Sequence, residues 1–219
     1  MGLSTRYLSK RLLMKHTPMA VEPVTLQGQY VRLEPLKMEH FDPLWSVGQD
    51  AELWKLAPYQ INSGEKMRTY IRAALDGQEL GVALPFVTIW QATNEIVGST
   101  RFGNIDAPNH RVEIGWTWIG KPWQRTPVNT EAKFLMLQHA FEVWHCIRVE
   151  FKTDVLNARS RAAILRLGAK EEGIFRHHMI TDSGRLRDTV YYSVIDDEWP
   201  DVKAHLQELL AKPFVPRPV

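Results

Sequence analysis

The chain has 219 residues, 44% of them apolar and 24% charged, which is ordinary for a globular protein that buries its own core. Its net charge of +2 is too small to indicate nucleic-acid binding, and no apolar run approaches the ~20 residues that span a bilayer. The single cysteine, Cys146, excludes an internal disulfide and is typical of a reducing compartment, so we expect a cytoplasmic protein without nucleic-acid or membrane partners.

The first 24 residues differ in composition from the rest of the chain. They carry four basic residues among scattered leucines, with no acidic residue before Glu22. This pattern is typical of a mitochondrial presequence, but it also suits an extra N-terminal helix or an arm that reaches a neighbouring subunit. We therefore predict a basic extension over residues 1–24, a single domain over 25–212 and a Pro-rich tail over 213–219.

Strand and helix patterns alternate through the first half of the domain. Pro35 ends the first strand, and two helices follow, joined by a loop that contains Trp54, Tyr59 and Gln60. A short turn then joins two apolar runs into a hairpin. The predicted strands are Gln29–Leu36, Phe86–Gln91 and Ile96–Phe102, the predicted helices are Asp42–Gln49 and Gly64–Asp76, and Asn104–Asn109 is a loop.

The next stretch predicts a strand with a different chemistry on each face. Alternation puts Val112, Ile114, Trp116 and Trp118 on one side and Glu113, Gly115, Thr117 and Ile119 on the other. The first set is bulky and apolar, so we expect it to face the core. The second set places a carboxylate beside a glycine and a threonine, which leaves room for a ligand against the strand.

A helix follows this strand almost at once. Apolar residues recur at three- and four-residue spacing from Phe134 to Trp144, which gives one apolar stripe. Thr126 is suited to the N-cap and Pro127 to the first helical position, where its missing N–H costs nothing. The free N–H groups and positive dipole end of such a helix attract anions. The segment 126–130, with Arg125 beside it, is therefore a candidate phosphate site.

The last third of the domain repeats this alternation. A strand after the helix predicts a right-handed crossover and a parallel pair of strands. Asn157 is suited to cap a further helix, which Gly168 ends. The predicted elements are the strand Arg148–Thr153, the helix Ala158–Leu167, the strands Gly173–Thr181 and Arg187–Ile195, and the helix Trp199–Leu210.

Two pairs of adjacent residues have side chains of the kind that bind metals. His177 and His178 are neighbours in a strand and therefore point to opposite faces. His145 and Cys146 stand together, but no second pair lies at a spacing typical of metal ligands. We expect no metal and assign these histidines no role.

The run from Glu113 to Ala132 resembles the acyl-CoA-binding core of the GNAT acetyltransferases, and most of all their Rim-type branch, which acetylates N-terminal amines of ribosomal proteins. The family's pyrophosphate loop has the pattern Gln/Arg-x-x-Gly-x-Gly/Ala. Gln124 matches its first position, whereas Pro127 and Asn129 replace its small residues.

A second run carries the same resemblance. The residues from Asn157 to Gly168 are similar to the family's Asn-x-x-Ser and terminal Gly-Phe signatures, but Ile164 stands where many members have a tyrosine acid. The resemblance covers residues 28–199. It implies a mixed α/β fold with a mostly antiparallel central sheet, one splayed pair of parallel strands and flanking helices.

The resemblance also implies an activity and roles for single residues. An acyltransferase domain would move an acetyl group from acetyl-CoA to a primary amine, by direct attack in a ternary complex. The Rim-type branch favours a protein N-terminus as acceptor, and a homodimer stays open. Glu113 occupies the place of the glutamate that takes the amine's proton through water, and Ser160 is a candidate acid for the thiolate. Further candidates are Trp118, Gln124, Arg125, Thr126, Val128, Asn129, Thr130, Asn157 and Ser160 for acetyl-CoA, and Trp54, Tyr59 and Gln60 for the acceptor.

Each assignment has an alternative that involves no ligand. Glu113 suits a structural carboxylate, Asn157 an ordinary N-cap and Ser160 a solvated serine, while the aromatic residues near Tyr59 suit loop packing. The altered loop and the missing tyrosine also leave open a catalytically silent acyl-CoA-binding or regulatory module. A small-molecule amine is the alternative acceptor.

Overall fold

The structure, a computed structural model, describes residues 19–214. Most of the predicted basic extension, residues 1–18, and the end of the predicted tail, 215–219, lie outside the described residues. Met19 is buried in the core, and the indole N–H of Trp144 donates to the carbonyl oxygen of Ala20 at 2.9 Å. The segment just before the predicted domain start at residue 25 therefore lies against the core.

Strands in the described part of the chain form one sheet. Their bounds are β1 Leu26–Gln27, β2 Val31–Pro35, β3 Leu84–Trp90, β4 Glu95–Asp106, β5 Arg111–Ile119, β6 Arg148–Asp154, β7 Lys170–Ile180 and β8 Leu186–Ile195. The eight strands lie in the order β1-β2-β3-β4-β5-β6-β8-β7, and every neighbouring pair is antiparallel except β5 and β6. The predicted mixed fold, with a mostly antiparallel sheet and one parallel pair, is confirmed.

Helices cover both faces of the sheet. They are α1 Phe41–Gly48, α2 Gly64–Glu79, α3 Pro127–Gln138, α4 Ala158–Arg166 and α5 Trp199–Ala211. One core cluster contains apolar residues of α3, α4 and α5, and a second contains those of α1 and α2, so we call the two sides the α3 face and the α1–α2 face. None of the helices in residues 19–214 combines the length and apolar character that crossing a membrane requires.

The parallel pair separates after a short contact. Arg111–Glu113 of β5 pairs with Arg148–Glu150 of β6, and no later residue of β5 pairs with β6 in the described chain. Beyond that point β5 stays with β4, while β6 stays with β8. The result is a gap between two strands of the same sheet, where backbone groups of β5 after Glu113 lack a ladder partner on that side.

A bulge in β5 overturns the predicted alternation. Trp116 has φ of +50°, and the register with β4 shifts between Ser99 and Arg101. The extra residue reverses which side chains face each layer from that point onward. Thr117 and Ile119 thus share the α3 face with Val112 and Ile114, while Trp116 and Trp118 join Glu113 on the α1–α2 face. The prediction for these four later residues was wrong.

A buried carboxylate fixes α3 against the edge of the sheet. The side chain of Glu131 accepts hydrogen bonds from the backbone N–H groups of Gln29, Tyr30 and Val31, at 2.8, 2.6 and 2.7 Å. Gln29 and Tyr30 lie in the turn between β1 and β2, and Val31 is the first residue of β2. Because three charge-assisted bonds hold one carboxylate, the start of α3 is positioned rigidly over the sheet.

Candidate active site

The start of α3 forms the predicted helix N-terminus. Thr126 is the N-cap and accepts from the N–H of Val128 at 3.3 Å, and its own hydroxyl donates to the carbonyl of Trp123 at 2.6 Å. Pro127 is the first helical residue, as predicted. The side chain of Val128 is buried, so only its backbone faces the helix end, next to the half-buried Asn129. This end of α3 is suited to an anion.

Cationic side chains gather around the same helix end. A cavity of about 370 Å³ is lined by Arg125, Thr126, Thr130, Arg166 and Lys212 among others. A guanidinium N–H of Arg166 donates to the hydroxyl of Thr130 at 2.5 Å. Three positive groups beside a helix N-terminus match the chemistry that phosphate oxygens require.

Two residues tie this end of α3 to its neighbours. The Gln124 side chain donates to the carbonyl of Ile119 at 2.9 Å and accepts from Arg159 of α4 at 2.7 Å. Asn157 caps α4 by accepting from the N–H of Ser160 at 3.0 Å, which is the structural role that its sequence also suggested. Gln124, Asn157 and Ser160 thus lie where β5, α3 and α4 approach one another.

The predicted base lies on the opposite, α1–α2 face. Glu113 is 3% exposed, and its Oε2 accepts from the amide of Asn104 at 2.7 Å and lies 2.8 Å from Nζ of Lys152. Both contacts use the same oxygen. Oε1 lies toward Gly115, where a side chain larger than hydrogen would stand 2.8 Å from it. One carboxylate oxygen is therefore left for a water molecule or an amine beside the gap between β5 and β6.

The floor beside Glu113 is aromatic and cationic. The ring of Trp116 lies on Gly103, where an added Cβ would stand 2.3 Å from the ring, so only glycine permits this placement. The guanidinium of Arg101 lies 5.0 Å from the ring centroids of both Trp116 and Tyr70. Such stacking favours a cation but supplies no hydrogen-bond acceptor.

The predicted acceptor residues form a roof over this floor. Trp54 is buried, donates to the carbonyl of Gly48 at 2.8 Å, and packs 5.2 Å from Trp118 in the second core. Its environment is that of a core residue. The side chain of Gln60 donates to the carbonyl of Trp54 at 2.7 Å, and its N–H donates to Asp182 at 3.1 Å. The roof is thereby joined to the turn between β7 and β8.

Tyr59 is the roof residue closest in chemistry to an acid or base. Its ring lies 5.6 Å from that of Tyr70, whose hydroxyl donates to the carbonyl of Trp116 at 3.2 Å. Burial raises the pKa of Tyr59 well above its usual value, and the neighbouring Tyr70 adds to the rise. Tyr59 is therefore a neutral hydrogen-bonding group at physiological pH.

The β7–β8 hairpin brings further groups to this face that the sequence did not reveal. Residues 176–178 of β7 form a wide bulge opposite Asp188, and His177 has φ of +47°. The bulge turns His178 toward Tyr191, with their ring centroids 5.7 Å apart. Burial lowers the pKa of His178, and Lys152 and Arg187 lower it further.

Several of these residues escaped sequence reasoning because only the sheet register brings them together. Lys152 and Arg187 alternate in their strands like ordinary solvated residues, and nothing local indicates that they face a covered floor. Alternation alone also predicts no contact for His178, because the residue types of this segment do not indicate a bulge. Trp118 lies on the α1–α2 face, so its predicted contact with acetyl-CoA stays a prediction.

Comparison with known proteins gives a family match. The model of the family described as acetyltransferase (GNAT) domain matches residues 31–170. A protein of Bacillus subtilis (strain 168), provisionally named ribosomal N-acetyltransferase YdaF, is 34% identical over 108 residues. That alignment covers 49% of this chain and 58% of the relative, so it spans little more than half of the relative's length.

Solved structures extend the likeness to nearly the whole chain. A GCN5-related N-acetyltransferase from Brucella melitensis is 33% identical, with a TM-score of 0.82 over 90% of each chain. The structure of Mycobacterium smegmatis RimJ in complex with CoA-disulfide has a TM-score of 0.74 and covers 87% of this chain and 96% of its own. At 21% identity the second likeness concerns the fold. The predicted resemblance to GNAT acetyltransferases is confirmed, and the name of the Bacillus relative agrees with the Rim-type branch.

Proposed function

The chain belongs to the GNAT acetyltransferase family, and from this premise we propose that it transfers an acetyl group from acetyl-CoA to the α-amine of a protein N-terminus. The acceptor is suggested by the name of the Bacillus subtilis relative, a ribosomal N-acetyltransferase. Acetyl-CoA is a co-substrate in this proposal, and the reaction takes place in the cytoplasm. A homodimer is compatible with the proposal but is not needed for it.

One observation carries the proposal. The gap between β5 and β6 opens directly after Glu113, with the start of α3 on one face of the sheet and the carboxylate on the other. A long, thin molecule with phosphates at one end and a reactive group at the other can pass through such a gap. The unpaired backbone groups of β5 supply hydrogen bonds along its length.

The phosphate end would lie at α3. The backbone at Thr126, Val128, Asn129 and Thr130 offers a positive helix end, and Arg125 adds a charge from the side. Pro127 supplies no donor, so this cradle has one N–H fewer than the family pattern. Gln124, Asn157 and Ser160 flank the path from this end toward the gap, and Trp118 lines the other face.

The amine would react on the α1–α2 face. At pH 7 the neutral form costs ~1.4 kcal/mol for an α-amine with a pKa of ~8, against ~4.6 kcal/mol for a lysine with a pKa of ~10.4. Glu113 Oε1 accepts a proton from the protonated acceptor amine, directly or through water. The neutral amine nitrogen then attacks the thioester carbonyl. A backbone N–H of β5 stabilises the oxyanion, the C–S bond breaks, and the second proton of the attacking nitrogen passes through water or the Ser160 hydroxyl to the thiolate, which leaves an amide and a free thiol.

Two alternatives are distinguished by one experiment. A small-molecule amine would use the same groups, and a silent acyl-CoA-binding module would use only the CoA end. Purified protein is offered acetyl-CoA with a panel of small amines and peptides with free N-termini, and released thiol is followed. Thiol release with peptides supports the proposal, release only with small amines supports the first alternative, and CoA binding without release supports the second.

A further inference from the structure

Unsatisfied polar atoms are concentrated on one face of the sheet. Within residues 19–214, six buried side-chain nitrogen or oxygen atoms lack a hydrogen-bond partner. Five of them lie on the α1–α2 face or in the bulge beside it, next to the proposed amine site. They belong to Arg101, Trp118, His178, Arg187 and Thr189.

Two of these residues are buried cations. Arg101 is 6% exposed and Arg187 is 5% exposed. In the described chain the side chain of Arg101 makes no hydrogen bond or ion pair, its Nε lacks a partner, and its guanidinium lies over the rings of Tyr70 and Trp116. A guanidinium carries five N–H donors, and leaving even one of them without an acceptor away from water is costly.

The nearby carboxylates are already engaged. Glu113 is paired with Lys152. Asp154 is fully buried, accepts a hydrogen bond from Arg185, and accepts another from the N–H of Leu156 at 2.9 Å. Arg187 reaches Asp154 only at 3.9 Å, through Nε. The two carboxylates of the floor, Glu113 and Asp154, are thus engaged mainly by Lys152 and Arg185. The guanidinium groups of Arg101 and Arg187 are left without a close carboxylate.

The position of the two arginines excludes the CoA phosphates as their counter-ion. Arg101 lies on β4 and contacts Tyr70 of α2, and Arg187 shares a face of β8 with Tyr191, whose ring lies 5.9 Å from Nζ of Lys152. The start of α3, with its own cations, lies on the other face. An anion carried by the acceptor, in contrast, would lie on the same face as Arg101 and Arg187.

Resting on the proposed function, we infer that the acceptor is an amine that carries a carboxylate close to the reacting nitrogen. Arg101 and Arg187 bind that carboxylate while the amine lies at Glu113. Two sources share this chemistry: a protein N-terminus with an acidic residue at position one or two, and a free acidic amino acid. The Nε groups of both arginines are left without a hydrogen-bond acceptor inside the protein because the substrate supplies one.

Matched acid and amide probes test the inference. Peptides beginning with Asp or Asn, and with Ser-Glu or Ser-Gln, are compared with free aspartate and with asparaginamide, which carries no carboxylate, and kcat/KM is measured by thiol release. We expect the acid to be preferred over its amide by about 10- to 100-fold, as a charge-assisted hydrogen bond provides. The peptide and amino-acid arms distinguish the two sources.

Variants connect this preference to the two arginines. Arg101→Gln and Arg187→Gln should each bring the acid-to-amide ratio toward one, whereas Arg72→Gln, an exposed position on α2, should leave it unchanged. Because an unpaired buried charge is costly, both variants should melt at or above the wild-type temperature. A large fall in melting temperature for both would show that the arginines are structural and would overturn the inference.

A binding measurement separates this inference from the proposed function. Calorimetry on the CoA-loaded protein compares the N-acetylated Ser-Glu peptide with its Ser-Gln counterpart and needs no turnover. Tighter binding of the acid without thiol release from any amine would sink the proposed function and leave the inference standing. Equal kcat/KM and equal binding for acid and amide would overturn the inference while the acetyltransferase activity stands.

Discussion

Nζ of Lys152 lies 2.8 Å from Oε2 of Glu113, so the carboxylate proposed as the base is half of an ion pair on neighbouring parallel strands. The pair forms at the end of the short contact between β5 and β6, where the two strands begin to separate. The cation holds the carboxylate in one orientation. It leaves Oε1 toward Gly115, on the side where an amine would approach.

Glu113→Gln keeps the shape of the side chain and removes its ability to accept a proton. General-base catalysis is typically worth ~10²–10⁴ in rate, so we expect kcat to fall by at least ~10² near neutral pH, with CoA affinity nearly unchanged. Raising the pH should recover part of the loss, beginning at lower pH for an α-amine than for a lysine. Steady-state thiol release from pH 6 to 10, with calorimetry of CoA, measures both effects.

The partner of Glu113 supplies the control. Lys152→Met removes the cation but leaves the carboxylate, so thiol release should persist in this variant although it is lost in Glu113→Gln. If Glu113→Gln turned over at the wild-type rate across the whole pH range, Glu113 would be a structural residue, and water would take the proton of the amine.

Arg125→Gly tests the CoA end without disturbing the backbone. Arg125 is exposed and has φ of +60°, a conformation that glycine adopts without strain. Loss of one charged contact to phosphate should raise the Kd for CoA by about tenfold, while the melting temperature of the free protein stays the same or rises slightly. Calorimetry and thermal melting measure the two quantities.

His145→Gly is the matched control for Arg125→Gly. His145 is also exposed and left-handed, with φ of +52°, but lies after the far end of α3. The His145→Gly variant should change the melting temperature as Arg125→Gly does, and its affinity for CoA should equal that of the wild type. An unchanged Kd for Arg125→Gly would remove this arginine from the phosphate site.

Two truncations test the predicted boundary of the basic extension. Removing residues 1–18 should preserve CoA binding and the melting temperature, as expected of a segment outside the catalytic fold. Removing 1–24 also deletes Met19 and the acceptor of the Trp144 N–H, which should cost ~1–3 kcal/mol of stability. Urea unfolding and CoA calorimetry compare them. If the protein that lacks only residues 1–18 were monodisperse but bound no CoA, the extension would belong to the CoA site.

The sequence predicted the strands, helices and crossover because these follow from periodicity and caps. Two helix starts were predicted from residues that favour them, namely Thr126 with Pro127 and Asn157. The structure confirms both starts. The parallel pair follows from the order of strand, helix and strand. These features are local, or depend only on chain order, so one sequence contains enough information.

The faces of β5 after Gly115 could not be predicted in the same way. The bulge at Trp116 places its ring against Gly103, which is distant in sequence and must lack a side chain to allow this contact. The same limit applies to His178, which a second bulge turns toward the site. Contacts such as that between Glu113 and Lys152 depend on the register between strands. The periodicity within each strand does not predict that register.

Lys133 of α3 is a buried amine without a carboxylate partner in the described chain. It is 4% exposed, and its Nζ donates to the hydroxyls of Thr100 at 2.9 Å and Thr117 at 2.6 Å. Burial lowers the pKa of Lys133 to about 7. The unfolded chain has an ordinary lysine pKa of ~10.4, so between these values it binds one more proton than the folded protein.

Stability should therefore rise with pH across this window. The slope is at most about 1.4 kcal/mol per pH unit between pH ~7 and ~10, and below pH ~7 the contribution is flat because both states are protonated. Lys133→Met keeps the length of the side chain and removes the titration, while Thr100 and Thr117 retain their mutual hydrogen bond at 2.8 Å. Urea unfolding at pH 6, 7, 8 and 9 should show the wild type gaining on the variant by up to about 3 kcal/mol between pH 7 and 9. Other titrating groups cancel in this difference, so parallel curves for the two proteins would mean that Lys133 stays charged in the folded state.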